Sequence, residues 1–102
     1  IALPANSWLE FEDLEITASC SNPFLQIWKG GIPPVFDSKD DPAILAGICN
    51  ALADETGDTR FRDMFKFENE GKRGIYIQRL LDTSTTTAGY KLDDIMAGKY
   101  GA

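Results

Sequence analysis

Carboxylates are the most concentrated of the side chains that could do chemistry in this chain. The densest cluster comprises Glu10, Glu12, Asp13 and Glu15. Neighbouring carboxylates can exchange protons with a substrate or bind calcium, but an EF-hand loop needs a fixed alternation of ligands around a central glycine. The cluster has neither feature. We therefore interpret it as a solvated acidic face, or as a salt-bridge partner for another segment, rather than as a metal site.

A second acidic group, formed by Asp37, Asp40 and Asp41, precedes Pro42. Aspartate is a preferred N-cap residue, and proline is favoured in the first turn of a helix. The positive end of the helix dipole also stabilises anions. We predict that Asp41 caps the helix that Pro42 begins and that the other two aspartates are exposed.

A polar loop, TASCSNP, runs from Thr17 to Pro23 and combines hydroxyl, thiol and amide side chains. Such a loop can offer many hydrogen-bond donors and acceptors to a polar ligand. It can equally be a run of turns whose side chains satisfy their own backbone. From these residues alone, the second interpretation is favoured.

The cysteine and histidine content limits metal and acid–base chemistry. Cys20 and Cys49 are far apart in sequence, so they cannot form a zinc or iron–sulfur site without ligands from elsewhere. We interpret them as two buried thiols, with a disulfide as the alternative. The chain has no histidine, which argues against a self-sufficient enzyme.

Charge and hydropathy exclude two classes of partner. The chain has 16 acidic and 10 basic residues, a net charge of −6, and its basic residues are scattered. Nucleic acids and anionic lipids both need a cationic surface, so we expect neither as a partner. No apolar run approaches the roughly 20 residues of a membrane-spanning helix. The glycines match neither a dinucleotide-binding fingerprint nor a P-loop.

The chain changes character near residue 37. Residues 1–36 are rich in proline and aromatic residues, which predicts loops with a short strand at Leu25-Gln26-Ile27-Trp28. We interpret the aromatic side chains there, Trp8, Phe11, Phe24 and Trp28, as core or interface residues, with a substrate passage as the alternative.

Residues 37–102 predict three or four short amphipathic helices. Their expected positions are 42–55 ending at Gly57, 59–66, 72–82, and a last turn around Leu92, Ile95 and Met96 that stops at Gly98.

Three stretches, LPANSWLEFED, TASCSNPFLQIW and IPPVFDSKDDPAILAGICNALADETGD, resemble one continuous part of the molybdopterin oxidoreductases of the dimethyl sulfoxide reductase family. The resemblance covers residues 1 to about 58. Beyond it, FRDMFKF and YIQRLLDTSTTTAGYKLDDI resemble the aspartate-ligated branch, which includes perchlorate, chlorate and selenate reductases, dimethyl sulfide dehydrogenase and ethylbenzene dehydrogenase. The positions that carry the first resemblance are Leu3, Pro4, Trp8, Glu10, Gln26, Pro33, Asp41 and Gly57.

The resemblance implies that residues 1–102 are part of one Rossmann-like α/β domain excised from a much longer catalytic subunit, opening at the end of a strand. Residues 1–36 would be a loop-rich segment on the cofactor side, and residues 37–102 a helical segment. Ser19, Ser21 and Asn22 would contact the cofactor, with Asn22 at the position where relatives often have an acidic residue near a guanine. The resemblance implies no catalytic or metal-ligating residue in this chain.

The parent enzyme implied by the resemblance carries molybdenum bis(molybdopterin guanine dinucleotide) and a [4Fe-4S] cluster, whose main ligands lie outside this segment. It would reduce an oxyanion or hydroxylate a hydrocarbon in periplasmic anaerobic respiration. Its partners would be the remainder of the alpha subunit, an iron–sulfur beta subunit for electron transfer and a haem b gamma subunit. The alternative hypothesis is an acidic helical interaction module without catalysis, which binds a basic partner through residues 10–15 and 37–41.

Overall fold

The computed structural model describes residues 1–18 and 24–100. These residues mix helices with one small sheet, so the chain has the α/β character predicted from the sequence in the broad sense. A short 3-10 helix, Trp8–Glu10, precedes the strands β1 (Glu15–Ala18) and β2 (Leu25–Trp28). Five helices follow: α1 (Asp41–Thr56), α2 (Arg60–Asp63), α3 (Lys66–Asn69), α4 (Gly74–Thr83) and α5 (Leu92–Met96).

The chain forms two compact units. Unit 1 comprises Ile1–Asp13 and Lys29–Lys72, and unit 2 comprises Leu14–Trp28 and Arg73–Ala102. Unit 1 therefore contains the 3-10 helix and helices α1 to α3. Unit 2 contains the two strands together with α4 and α5.

Helix α1 confirms the predicted first helix of unit 1. It ends at Gly57, whose φ of 73° is left-handed and whose N–H donates to the carbonyl oxygen of Ala53 at 2.9 Å. Glycine adopts this conformation without a Cβ penalty, which is why helices commonly end there. The predicted N-cap was wrong by one residue. Asp40 holds the N-cap position, and Asp41 is already the first helical residue.

Of the two single-turn helices α2 and α3, only α2 lies within the helix predicted over 59–66, and α3 begins at the last residue of that range. Phe65 interrupts them with φ −114° and ψ 30°, which is outside the helical range. Gly71 then adopts a left-handed φ of 68°, and the chain leaves α3. The apolar spacing in this stretch correctly indicated helix, but it could not show where the backbone turns.

The strands of unit 2 form an antiparallel pair in which Ile16 lies opposite Ile27 and Glu15 lies opposite Trp28. Strand β2 was predicted, whereas β1 was missed because its Glu15 was counted with the acidic cluster. Alternation places Ile16, Leu25 and Ile27 on one face of the pair. That face packs against the core of unit 2.

The core of unit 2 is a small aliphatic cluster centred on Ile77, Leu81 and Leu92. Helix α4 begins at Gly74, two residues after the predicted start. A Cβ at Gly74 would lie 3.1 Å from Cδ2 of Leu92, so glycine allows close approach there. Helix α5 confirms the predicted last helix, and Gly98 follows it with a left-handed φ of 71°.

Candidate functional site

A buried carboxylate at Asp40 fastens the start of the chain to the start of α1. Asp40 is 1% exposed. Its Oδ1 accepts a hydrogen bond from Nδ2 of Asn6 at 2.7 Å. The backbone N–H of Glu12 is shared between Oδ1 and Oδ2, and the N–H of Asp13 donates to Oδ2 at 3.3 Å. Because buried carboxylates are costly unless they are hydrogen-bonded, this arrangement makes Asp40 a structural acceptor.

A second buried carboxylate, Glu10, joins two turns of unit 1. Its Oε2 accepts the N–H of Ser7 at 2.8 Å, which is one half of a capping box. Its Oε1 accepts the N–H of Val35, also at 2.8 Å. The Ser7 backbone N–H, the Ser7 side chain and the Val35 N–H, in that order, hold the pKa of Glu10 below its ordinary value. Glu10 is therefore ionised at neutral pH.

We call Glu10, Asp40 and the backbone segments that they hold the clasp. Hydrogen bonds between backbone groups complete it. The N–H groups of Gly31 and Ile32 both donate to the carbonyl oxygen of Leu9, at 2.9 and 3.0 Å. The N–H of Gly30 donates to the carbonyl oxygen of Phe11 at 3.1 Å. A Cβ at Gly30 would lie 2.4 Å from the backbone nitrogen of Phe11, so only glycine fits at this position.

The clasp presents two aromatic side chains to solvent. Trp8 follows Ser7 and is 73% exposed, and Phe36 follows Val35 and is 95% exposed. The turn at Phe36 has a positive φ of 56°, which is uncommon for a bulky residue. Since Glu10 binds the residue before each aromatic, the exposed rings stand on backbone that one carboxylate holds.

The carboxylates of the clasp hold backbone segments in place. Both oxygens of Glu10 and both of Asp40 accept hydrogen bonds from the chain, which hold each carboxylate in one orientation. The clasp can therefore fix loops and display aromatic surface.

In unit 2, Arg73 carries a buried charge. It pairs with Glu15, the last residue of the predicted acidic cluster. The guanidinium Nη1 of Arg73 lies 3.1 Å from Oε1 of Glu15 and 3.5 Å from the carbonyl oxygen of Leu14. Arg73 is 5% exposed. The prediction that the acidic cluster includes a salt-bridge partner is confirmed for Glu15. Arg73 itself was not singled out from the sequence, because one arginine after Lys72 carries no spacing signal.

The predicted site residues fall in several places. Ser19, Ser21 and Asn22 lie outside the described residues, as does Cys20. Cys49 is a free, half-buried thiol. Within residues 1–18 and 24–100, no group of histidine, cysteine, aspartate and glutamate side chains could hold a metal ion.

The expected roles of the aspartates and aromatics needed correction. The aspartate with a structural role is Asp40, not Asp41, which is exposed. Trp8 and Phe24 are exposed, so they do not fill a core of this chain. Their assignment to an interface stays a prediction. Trp28 is half-buried, and its indole N–H donates to the hydroxyl of Thr17 at 2.8 Å, as expected for a tryptophan beside a polar strand.

No protein-family model matches the chain, and no curated protein matches it. In the part of the chain that the structure describes, no helix is both long enough and apolar enough to cross a membrane.

Proposed function

We propose that this chain is a segment of the catalytic subunit of a molybdenum bis(molybdopterin guanine dinucleotide) oxidoreductase, derived from a Rossmann-like α/β domain. The proposal is supported by the ordered resemblance of residues 1–58, in which Trp8, Glu10 and Gly57 would take the family's positions. The parent enzyme would reduce an oxyanion such as perchlorate, chlorate or selenate, or hydroxylate a hydrocarbon such as ethylbenzene.

The clasp supports this proposal through the role it gives to Glu10. A cofactor enzyme needs its protein to position and tune a reactive group that the cofactor supplies. A buried, ionised Glu10 that holds the turns at Ser7 and Val35 suits a positioning role. The polar loop that contains Ser19, Ser21 and Asn22 would contact the guanine end of the cofactor, where an amide can pair with a purine edge.

Exposed aliphatic residues also support the proposal that this chain is a segment whose surface is covered by other parts of a larger protein. On α1, Leu45, Ile48 and Leu52 are all exposed. Contiguous exposed apolar surface of this kind marks an interaction surface. In the proposed enzyme, partners would be the remainder of the alpha subunit, an iron–sulfur beta subunit and a haem b gamma subunit, in the periplasm.

The test uses the full parent polypeptide of which these residues would be a segment, produced anaerobically with molybdate. Its metal content is measured by inductively coupled plasma mass spectrometry, and its pterin by fluorescence after oxidation. About one molybdenum per polypeptide with two pterin guanine dinucleotides supports the proposal. Metal-free, pterin-free polypeptide in a host that loads a known molybdenum enzyme contradicts it.

The proposed cofactor contact is tested in the same preparation. Asn22→Ala should lower the pterin content of the polypeptide, because it removes the amide proposed to pair with guanine. Thr85→Ala is the control, since Thr85 is an exposed residue of the α4–α5 connection. Equal pterin content in both variants would remove Asn22 from the cofactor site.

The second candidate is an acidic interaction module, and the exposure of Asp37 and Asp41 favours it. These carboxylates could bind a basic partner, whereas Asp40 is committed to the clasp. Circular dichroism of the 102-residue chain separates the two candidates. A cooperative thermal melt favours the module, and a poorly ordered, aggregating chain favours the segment of a larger subunit.

A further inference from the structure

Helix α1 buries two alanines and exposes three large aliphatic residues. Ala46 and Ala53 are 3% and 5% exposed and lie on the buried side. Leu45, Ile48 and Leu52 are 51%, 43% and 41% exposed. Burial of leucine and isoleucine side chains stabilises a protein, so leaving three of them partly exposed forgoes stabilisation.

The three exposed residues form a continuous stripe. They are spaced by three and four positions, which places them on one face of a helix. The same spacing extends to Asp41 at one end and Glu55 at the other, and both are exposed. This alternating spacing is that of a seam in which one helix packs along another. We call the surface formed by Leu45, Ile48 and Leu52, with Asp41 and Glu55 at its ends, the α1 stripe.

Charge restricts which helix can cover the α1 stripe. Helix α1 contains three acidic residues, Asp41, Asp54 and Glu55, and no basic residue. Asp54 is paired with Arg62. Glu55 lies in the last turn, where the helix dipole is negative and a cation would be favourable.

We infer that the α1 stripe is a docking surface for a basic amphipathic helix. Its apolar face would pack on Leu45, Ile48 and Leu52, and its lysine or arginine side chains would lie beside Asp41 and Glu55. A second copy of this chain fits poorly, because antiparallel pairing of two α1 helices would bring the acidic residue at one end of the stripe against the acidic residue at the other. The inference does not depend on molybdenum binding.

The test uses two synthetic helical peptides of 18 residues with identical leucines at alternating three and four spacing. One peptide carries lysine at the flanking positions, and the other carries glutamate there. Binding of each to the 102-residue chain is measured by fluorescence anisotropy at low salt. We expect the lysine peptide to bind at least tenfold more tightly, and its affinity to fall as salt is raised.

Two leucine substitutions locate the binding surface. Leu45→Asp should weaken binding of the lysine peptide at least tenfold. Leu80→Asp is the matched control, because Leu80 is also a helical leucine and is 55% exposed, but lies on α4. We expect Leu80→Asp to change the affinity less than twofold. Glu55→Gln should lower the affinity several-fold without changing the circular dichroism of the chain.

Each result decides for or against the docking surface. If the chain is partly unfolded alone, a gain of helix on adding the lysine peptide but not the glutamate peptide also supports it. Equal binding of the two peptides shows a non-selective apolar surface and overturns the inference, as does equal loss in Leu45→Asp and Leu80→Asp. Self-association of the chain in sedimentation velocity, abolished by Leu45→Asp, would assign the stripe to a second copy instead. No binding of either peptide also overturns it.

Discussion

The carboxylate of Asp40 accepts the backbone N–H of Glu12 through both of its oxygens, at 3.2 Å for Oδ1 and 3.1 Å for Oδ2. The two residues are far apart in sequence, so this contact closes a long loop. It also explains why the aspartate at the start of α1 does not cap its own helix. The carboxylate is used to hold the preceding segment of unit 1.

Asp40→Ala should destabilise unit 1 by about 1–3 kcal/mol, because it removes the shared acceptor of several part-buried donors. The loss is measured by urea unfolding of the purified polypeptide. Asp37→Ala, at an exposed position, is the control and should change the free energy of unfolding by no more than about 0.5 kcal/mol. Similar values for the two variants would show that the Asp40 contacts contribute little.

Gly30→Ala should be far more damaging than Gly31→Ala. A Cβ at Gly30 would lie 2.4 Å from the nitrogen of Phe11 and 2.6 Å from the carbonyl oxygen of Leu9, whereas a Cβ at Gly31 meets nothing within 4 Å. Since backbone atoms cannot move aside as a flexible side chain can, we expect Gly30→Ala to cost at least about 2 kcal/mol. Thermal unfolding of the two variants measures the difference. An unchanged melting temperature for Gly30→Ala would contradict the close approach.

Arg73→Met should destabilise unit 2 by about 2–4 kcal/mol, because it leaves the carboxylate of Glu15 without its buried partner. Lys72→Met is the matched control. Lys72 is exposed and its ammonium lies 3.5 Å from a carboxylate oxygen of Glu70, a surface pair worth about 0–1 kcal/mol. Urea unfolding followed by the fluorescence of Trp28 measures both. A smaller effect for Arg73→Met than for Lys72→Met would remove the ion pair as a source of stability.

The pKa of Glu10 predicts how the clasp responds to acid. Hydrogen bonds from Ser7 and Val35 lower the pKa of Glu10 in the folded chain. The unfolded state therefore binds a proton more readily, and stability falls as the pH drops from the ordinary glutamate range, near pH 4, through the lower folded pKa. Above that range the contribution of Glu10 is fully present.

Glu10→Gln tests this pH dependence. The variant should have a lower melting temperature than the wild type at pH 7 and a smaller difference from it at pH 3, because the wild-type carboxyl is then also being protonated. Glu12→Gln, at an exposed neighbouring residue, is the control and should change the melting temperature at pH 7 less than Glu10→Gln does. Parallel profiles for the wild type and Glu10→Gln would mean that Glu10 does not titrate with folding.

The helices of this chain could be predicted from local sequence because the signals that form them are local. Apolar spacing and a terminal glycine identified α1, and Gly57 adopts the left-handed conformation that its position required. The same local signals identified β2 and α5. They misplaced the N-cap, because Asp40 and Asp41 are equally good caps by residue type and only long-range contacts distinguish them.

The candidate site could not be predicted from local sequence, because its contacts join residues that are far apart in the chain. Nothing in the spacing of Glu10 and Val35, or of Asp40 and Glu12, indicates that a carboxylate meets a distant backbone N–H. Strand β1 and the burial of Arg73 were likewise decided by a partner far along the chain. The sequence by itself therefore determined that α1, α4 and α5 are helical and that α1 ends at Gly57, because those preferences act between residues a few positions apart. Only the tertiary structure decided which carboxylates are buried, because their acceptor oxygens are satisfied by backbone donors that folding brings to them.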